Sequence, residues 1–182
     1  TGTLCKAPNA SKAKVPPENG DKVNSIMLEK VIQSVICHEK YKRSSIDCHI
    51  YVIDDDGSAL SAAISAICLS LCDAKIEIIG LFSATKIVSV KTKDLFPHDD
   101  CQIPDSEYSL IVDPTAKEIS NLPSNFSSLE IGISTPKNQV VYLAGNGSLF
   151  NDDPKAKEFF SLAEALCSAI VNEIKDHLVS AQ

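Results

Sequence analysis

The sequence predicts an α+β domain, and three observations carry that prediction. The stretch Ile46-Asp47-Cys48-His49-Ile50-Tyr51-Val52 alternates with period two, as a strand with one buried face does. It runs into Gly57 to Cys72, an uncharged, alanine- and serine-rich stretch with helical spacing. Residues 128–134 and 139–144 then read as two strands joined by Thr135-Pro136-Lys137-Asn138, a hairpin with a proline turn. The order helix, strand, helix, antiparallel-type strands, helix makes a layered α+β structure.

Each element has its own local signal. Residues 1–20 hold Pro8, Pro16, Pro17, Asn9, Asn19 and Gly20 among scattered lysines and read as a loop. The domain proper is expected from 21 to 182. Asp21 is the expected cap of a helix over 22–37, whose apolar positions Val23, Ile26, Met27, Val31 and Val35 fit helical spacing. Residues 45–53 are predicted as the central strand, stopped by Asp54-Asp55-Asp56-Gly57. Ser58 is a good N-cap residue for a helix over 58–73, since its hydroxyl can accept from an orphan amide of the first turn. Leu60, Ala63, Ile64, Ile67, Cys68 and Leu71 line one face of that helix. Ala62, Ala66 and Leu69 make much of the other apolar too, so a centrally buried helix is expected.

Beyond it, 81–90 reads as a strand and 91–108, with two prolines and many acids, as an excursion. Ser109 to Val112 is a short strand closed by Asp113-Pro114. Asn151-Asp152-Asp153-Pro154 starts a last helix over 155–178, with Phe159, Leu162, Leu166, Val171 and Ile174 on its apolar face.

Composition narrows the function classes. The chain has 182 residues, 44 % hydrophobic and 23 % charged, which suits one globular domain with a real core. No apolar run is long enough for a membrane span, and no secretory or transit signature opens the chain. Of the seven cysteines, Cys48, Cys68, Cys72 and Cys167 fall at core-periodic positions, so they read as reduced thiols of an intracellular protein. A net charge of −7 does not suit a free-standing nucleic-acid binder, so any RNA contact is local or supplied by partners. Arg43 is the only arginine. An arginine-built phosphate site therefore cannot come from this chain alone.

The stretch Asp55-Asp56-Gly57-Ser58-Ala59-Leu60, followed by Cys72-Asp73-Ala74-Lys75-Ile76, resembles the RNase PH family. In that family a strand leads into an Asp-Gly-Gly-Thr or Asp-Gly-Ser turn, an alanine-rich helix and an Asp-Ala-Gly-Ile-like ending; Lys75 replaces the usual glycine. Leu110-Ile111-Val112-Asp113-Pro114-Thr115, followed by Asn138-Gln139-Val140, is similar to one inactive branch, the mRNA-transport-type subunit of the eukaryotic RNA exosome ring. The likeness runs from about Asp21 to the C-terminus and is best over 45–76.

The resemblance implies an RNase PH-like fold (ribosomal protein S5 domain 2-like), two-layered, and here incomplete at its N-terminus. Family members open with several antiparallel strands before their first long helix, whereas about twenty loop-like residues precede Asp21. It further implies other RNase PH-like ring subunits and S1/KH cap subunits as partners, single-stranded RNA passing through the assembled ring, and a location in the nucleus, nucleolus included, and cytoplasm.

Active members of the family shorten RNA from its 3′ end with inorganic phosphate, which a threonine-arginine pair holds at a helix N-terminus. Helix amides and dipole favour anions there in any case. The pair reads Ser58-Ala59 here: the hydroxyl stays and the arginine is gone. Active members also carry two aspartates six residues apart on a later strand and its turn. Asp113 matches the first, and the second position is Ile119, which has no proton to give. The expectation is a non-catalytic subunit; the alternative is an active phosphorolytic 3′-5′ exoribonuclease with arginines and an acid from elsewhere.

No cofactor or metal is expected. Asp54 and Asp56 share a side of an extended segment while Asp55 faces away, a poor hard-cation cage. Cys48 and His49 point to opposite faces, and Cys37-His38, Cys68 with Cys72, and His98-Asp99-Asp100-Cys101 read better as buried thiols or surface groups. Asp56-Gly57-Ser58-Ala59-Leu60 lacks the second glycine of a nucleophile elbow. Gly145-Asn146-Gly147-Ser148 reads as a turn. Lys6, Lys12, Lys14, Lys42 and Arg43 are the candidate RNA-backbone contacts, although scattered lysines are usually only solvated.

Overall fold

The computed structural model describes residues 19–42, 44–92, 108–135, 137–147 and 153–180. Four strands form one antiparallel sheet: β1 (Phe82–Lys91), β2 (Tyr108–Val112), β3 (Ser127–Ser134) and β4 (Gln139–Asn146), in the order β2-β1-β3-β4. The central pair β1 and β3 runs in register from Phe82 opposite Ser134 to Ser89 opposite Ser127. The β3–β4 hairpin slips register between Gly132 and Ile133, so one extra residue of β4 is accommodated there.

Helices pack on both faces of this sheet. α1 (Asn19–Val35) and α2 (Ala59–Asp73) cover the face carrying Phe82, Ala84 and Tyr142. A last helix, Asp153–Ser180, covers the face carrying Ile87, Leu129, Ile131 and Ile133 with its own Phe159, Ala163 and Cys167. The α+β class holds, and the sheet has a helical layer on each side because β1 turns Phe82 and Ala84 to one layer while Ile87, with Leu129, Ile131 and Ile133 of β3, faces the other. Phe82, Ile64, Ile67, Ile87, Leu129 and Ile131 are fully buried. Each contributes about 1.5–3 kcal/mol through the area it removes from water.

Several expectations change. α1 begins at Asn19, so Asp21 sits within its first turn instead of capping it. α2 is buried along one stripe, Ser61, Ala63, Ile64, Ile67, Cys68 and Leu71, while Ala62 and Ala66 face solvent. Alanine is compatible with either environment, so its presence did not distinguish them. A short helix after β2, α3 (Ala116–Asn121), was not anticipated; the last helix, Asp153–Ser180, is accordingly α4. The excursion at 93–107 and Pro136 of the hairpin turn lie outside the described residues.

The largest correction concerns residues 45–53, which form no strand. Their period-two pattern is nevertheless present: Ile46, Cys48 and Ile50 pack on the α1/α2 core while Asp47, His49 and Tyr51 are exposed. Alternation reports which side chains face a core. A strand also needs a hydrogen-bonded neighbour, and among the described residues this segment has none. The five described cysteines, Cys37, Cys48, Cys68, Cys72 and Cys167, are free thiols. Among the described residues no helix is long and apolar enough to cross a membrane.

Candidate functional site

β2 pairs only with the later half of β1, from Ile87 to Lys91. The outer edge of β1 from Phe82 to Lys86 is therefore left open between α2 and α4, and a cavity of about 320 Å³ lies there. Ser58, Ser61 and Ser65 of α2 and its N-cap line one wall, Asp113 after β2 another, and Leu166 and Ile170 of α4 the floor. Ser58 and Asp113 thus both line this cavity. Ala59 opens α2 directly beside Ser58.

Three backbone turns meet at this point. Lys86 donates from Nζ to the carbonyl of Gly57 at 2.6 Å, and its own carbonyl accepts from the amide of Asp113 at 2.8 Å. The carboxylate of Asp56 accepts from the amide of Ala116 at 3.1 Å, joining the acidic turn to the start of α3. Gly57 has φ +109°, and a Cβ there would come within 3.3 Å of Ala116 N, Pro114 O and Ile119 Cδ1. Only glycine fits both that backbone and that space. Ile119 thus packs its hydrocarbon against the turn. Asp113 itself holds φ +49°, an uncommon left-handed conformation for a side chain other than glycine.

Ser58 does not cap α2. Its hydroxyl is buried and has no partner among the described residues. The capping carboxylate comes from β3: Glu130 accepts from the Ser61 amide at 3.1 Å and from the Ser61 hydroxyl at 2.6 Å. Glu130 stands directly opposite Lys86 in the sheet register, so an anion from one strand reaches the first turn of α2 and a cation from its neighbour the turn just before it. The charge of Glu130, added to burial, helps push the Tyr142 phenol up to about 12, burial being the larger cause. Ser65 then accepts from the Ala84 amide at 3.3 Å and donates to the Ser61 carbonyl at 3.2 Å, which satisfies one open donor of the β1 edge.

α3 is fixed by a reciprocal cap. The Glu118 amide donates to Thr115 Oγ1 at 3.2 Å, and the Thr115 amide donates to the Glu118 carboxylate at 2.8 Å. That amide is the main cause of a Glu118 carboxyl held below the usual carboxylate range. Sequence reasoning missed Lys86, Glu130 and this cap. The signals existed: a lysine inside Phe82–Val90, a glutamate inside Ser127–Ser134, and Thr115-Ala116-Lys117-Glu118 in the form of a capping box.

The remaining candidates do not join the site. Lys6, Lys12, Lys14 and Arg43 lie outside the described residues, and Lys42, exposed, does not line the cavity. His98 to Cys101 is likewise outside them. Cys48 packs toward the core and His49 is exposed, the opposite facing that argues against a shared ion. Among the described residues no three His, Cys, Asp or Glu side chains converge on a point where a metal ion would sit. The arrangement is a cleft of mixed polar and apolar lining at a helix start, with Asp113 its charged wall residue, while the Lys86 ammonium is engaged by the Gly57 carbonyl.

Residues 5–77 match the profile of the 3′ exoribonuclease family, domain 1. The chain is 44 % identical over 71 residues to a Caenorhabditis briggsae protein assigned as exosome complex component RRP41, covering 39 % of this chain and 30 % of that protein. It is 24 % identical over 144 residues to the human exosome complex component MTR3, covering 78 % of this chain and 47 % of that one. The crystal structure of rice Rrp46 superposes with a TM-score of 0.65 at 21 % identity, over 89 % of this chain and 67 % of that one. The fold is therefore RNase PH-like, and its curated relatives are exosome components. The chain spans less than half the length of both curated relatives.

Proposed function

We propose that this chain is a non-catalytic structural subunit of an RNA exosome ring, of the mRNA-transport type. In this reading it assembles with other RNase PH-like ring subunits beneath S1/KH cap subunits. Together they form the channel through which single-stranded RNA passes for 3′-to-5′ processing and degradation, in the nucleus, nucleolus included, and in the cytoplasm.

One observation carries the reading. Ser58, at a helix start, and Asp113 both line the cleft, which supports reading it as the frame of a phosphate site. Its working charges are absent: Ala59 stands at the arginine position and the side chain of Ile119 packs on Gly57. Lys86 does not replace the arginine, because its ammonium is bonded to the Gly57 carbonyl and offers no planar fork. Phosphoryl transfer depends on placed charge, so losing two charged groups on separate segments removes most of the stabilisation.

A second reading, an active phosphorolytic 3′-5′ exoribonuclease subunit, draws on Asp113, which still lines the cavity. It requires arginines from a neighbouring subunit. One experiment separates the two. The purified chain, alone and after gel filtration with an RNase PH-like ring partner, is given RNA and excess phosphate. Co-elution without release of nucleoside diphosphates by the complex supports the structural role. Release that disappears on Asp113→Ala supports the enzyme. Failure to bind any ring partner removes the ring-subunit reading.

A further inference from the structure

We propose that the cleft beside the start of α2 binds a primary alkylammonium group, the chemistry shared by aliphatic amines and the lysine side chain. Two groups in it lack partners. The hydroxyl oxygen of Ser58 is buried and has no hydrogen-bond partner among the described residues. Asp113 is the charged residue of the lining. Its amide is bonded to the Lys86 carbonyl, and among the described residues its carboxylate enters no ion pair. Both residues line the same cavity of about 320 Å³, a size within the range of small-ligand pockets. A buried hydroxyl left unbonded is destabilising, so a ligand that bonds it gains affinity from that contact.

The sign of the ligand's charge follows from the groups already fixed around the cleft. A helix start ordinarily favours an anion. Here that anion is built in, because Glu130 accepts from both the amide and the hydroxyl of Ser61 in the first turn of α2. In the turn before α2, Asp55 accepts from the Gly57 amide and Asp56 from the Ala116 amide. The cation at this point, Lys86, is bonded through its ammonium to the Gly57 carbonyl. A further anion entering beside Asp113 is therefore repelled, and a cation is attracted.

The lining also sets what kind of cation fits. Among the described residues no three His, Cys, Asp or Glu side chains converge as a metal ion requires. Leu166 and Ile170 of α4, with Val112, give the cavity an apolar side that suits an alkyl stem. An ammonium head carries three donors and no acceptor, which matches a carboxylate and a hydroxyl oxygen. A phosphate has the wrong charge, and a neutral alcohol leaves the carboxylate uncompensated.

The inference goes beyond the exosome reading and does not rest on it, since it needs the cleft alone. The test is calorimetric titration of the full chain at neutral pH. The probes are n-pentylammonium for a free amine and Nα-acetyl-lysine methylamide for a lysine within a protein. The controls are 1-pentanol, pentanoate and inorganic phosphate. The expected result is saturable binding of n-pentylammonium, about tenfold or more tighter than either pentyl control, with none of phosphate. Asp113→Asn keeps a residue type that tolerates a positive φ, and it weakens binding about tenfold. Ser58→Ala weakens binding about threefold, an independent readout should the first variant fold poorly. Binding of both probes supports the site with a partner's lysine as its occupant, and binding of n-pentylammonium alone supports it with a free amine. Absence of saturable amine binding overturns the proposal. So does equal affinity for 1-pentanol, affinity unchanged in both variants, or phosphate that binds and displaces the amine.

Discussion

Lys86 and Gly57 are joined by a 2.6 Å hydrogen bond from the lysine ammonium to the glycine carbonyl. The residues lie on different elements, one inside a strand and one in the turn before α2. Through its own carbonyl Lys86 also receives the Asp113 amide. One side chain and one peptide unit therefore tie the acidic turn, β1 and the end of β2 together. Lys86→Met keeps the stem that packs along the sheet and removes only the charged donor. It is expected to lower stability by about 1–2 kcal/mol, read as a shift in the urea midpoint with an unchanged slope.

Ser58 gives a prediction whose sign separates two accounts of one residue. A serine that caps a helix costs about 1 kcal/mol when replaced by alanine. The Ser58 hydroxyl is buried without a partner among the described residues, and Glu130 holds the Ser61 amide instead. Ser58→Ala should then leave stability unchanged or raise it by up to about 1 kcal/mol, because an unsatisfied group is removed. Glu130→Ala should be clearly destabilising, since it exposes two donors of Ser61. Thermal unfolding of both variants decides between these outcomes.

Lys75 holds φ +55° just after α2, where the resembled motif carries glycine. A lysine in that conformation bears a Cβ penalty that glycine does not. Lys75→Gly is expected to stabilise the protein by about 0.5–1 kcal/mol, less whatever the unfolded chain gains in freedom. A lower melting temperature would show that the side chain makes a compensating contact.

Much of this fold was legible because its signals are local. The helices over 19–35, 59–73 and 153–180 and the four sheet strands follow from hydrophobic period, turn residues and proline placement. The candidate site residues Ser58, Ala59, Asp113 and Ile119 likewise lie in short motifs. What escaped depends on distant partners. Glu130 caps α2 from a strand sixty-nine residues away from Ser61, and no local window contains both. Residues 45–53 show the converse, since their pattern is correct while the ladder depends on a neighbour the pattern does not supply. α3 is six residues long, too short for hydrophobic period to reveal, and only its cap announced it.

The buried thiols give the stability a sign at high pH. Burial raises Cys68 to about 12 and also raises Cys167. In the unfolded chain both ionise near the ordinary thiol value, so at high pH the unfolded state releases protons that the folded state keeps. Their contribution is complete below that value and is lost as pH rises from about 9 toward 12. Stability measured by urea unfolding should fall over this range. The fall should be shallower in Cys68→Ala, once each curve is referred to its own value at pH 7. An equal slope in the variant would assign the loss to other groups.

The last prediction concerns the empty arginine position. Ala59→Arg places a guanidinium at the first residue of α2, close to the cleft that Ser58 and Asp113 line. If anion binding were all the chain lacked, this single change would restore phosphorolysis. In the non-catalytic reading proposed above a second deficiency remains, because Ile119 still packs hydrocarbon against Gly57. An arginine can hold phosphate but cannot give a proton to a leaving oxygen at neutral pH. Ala59→Arg is therefore expected to bind phosphate measurably in a calorimeter yet to release no nucleoside diphosphate from RNA with excess phosphate. Turnover by this variant would show that Asp113 alone supplies the acid, and the non-catalytic reading would then rest on a single missing charge.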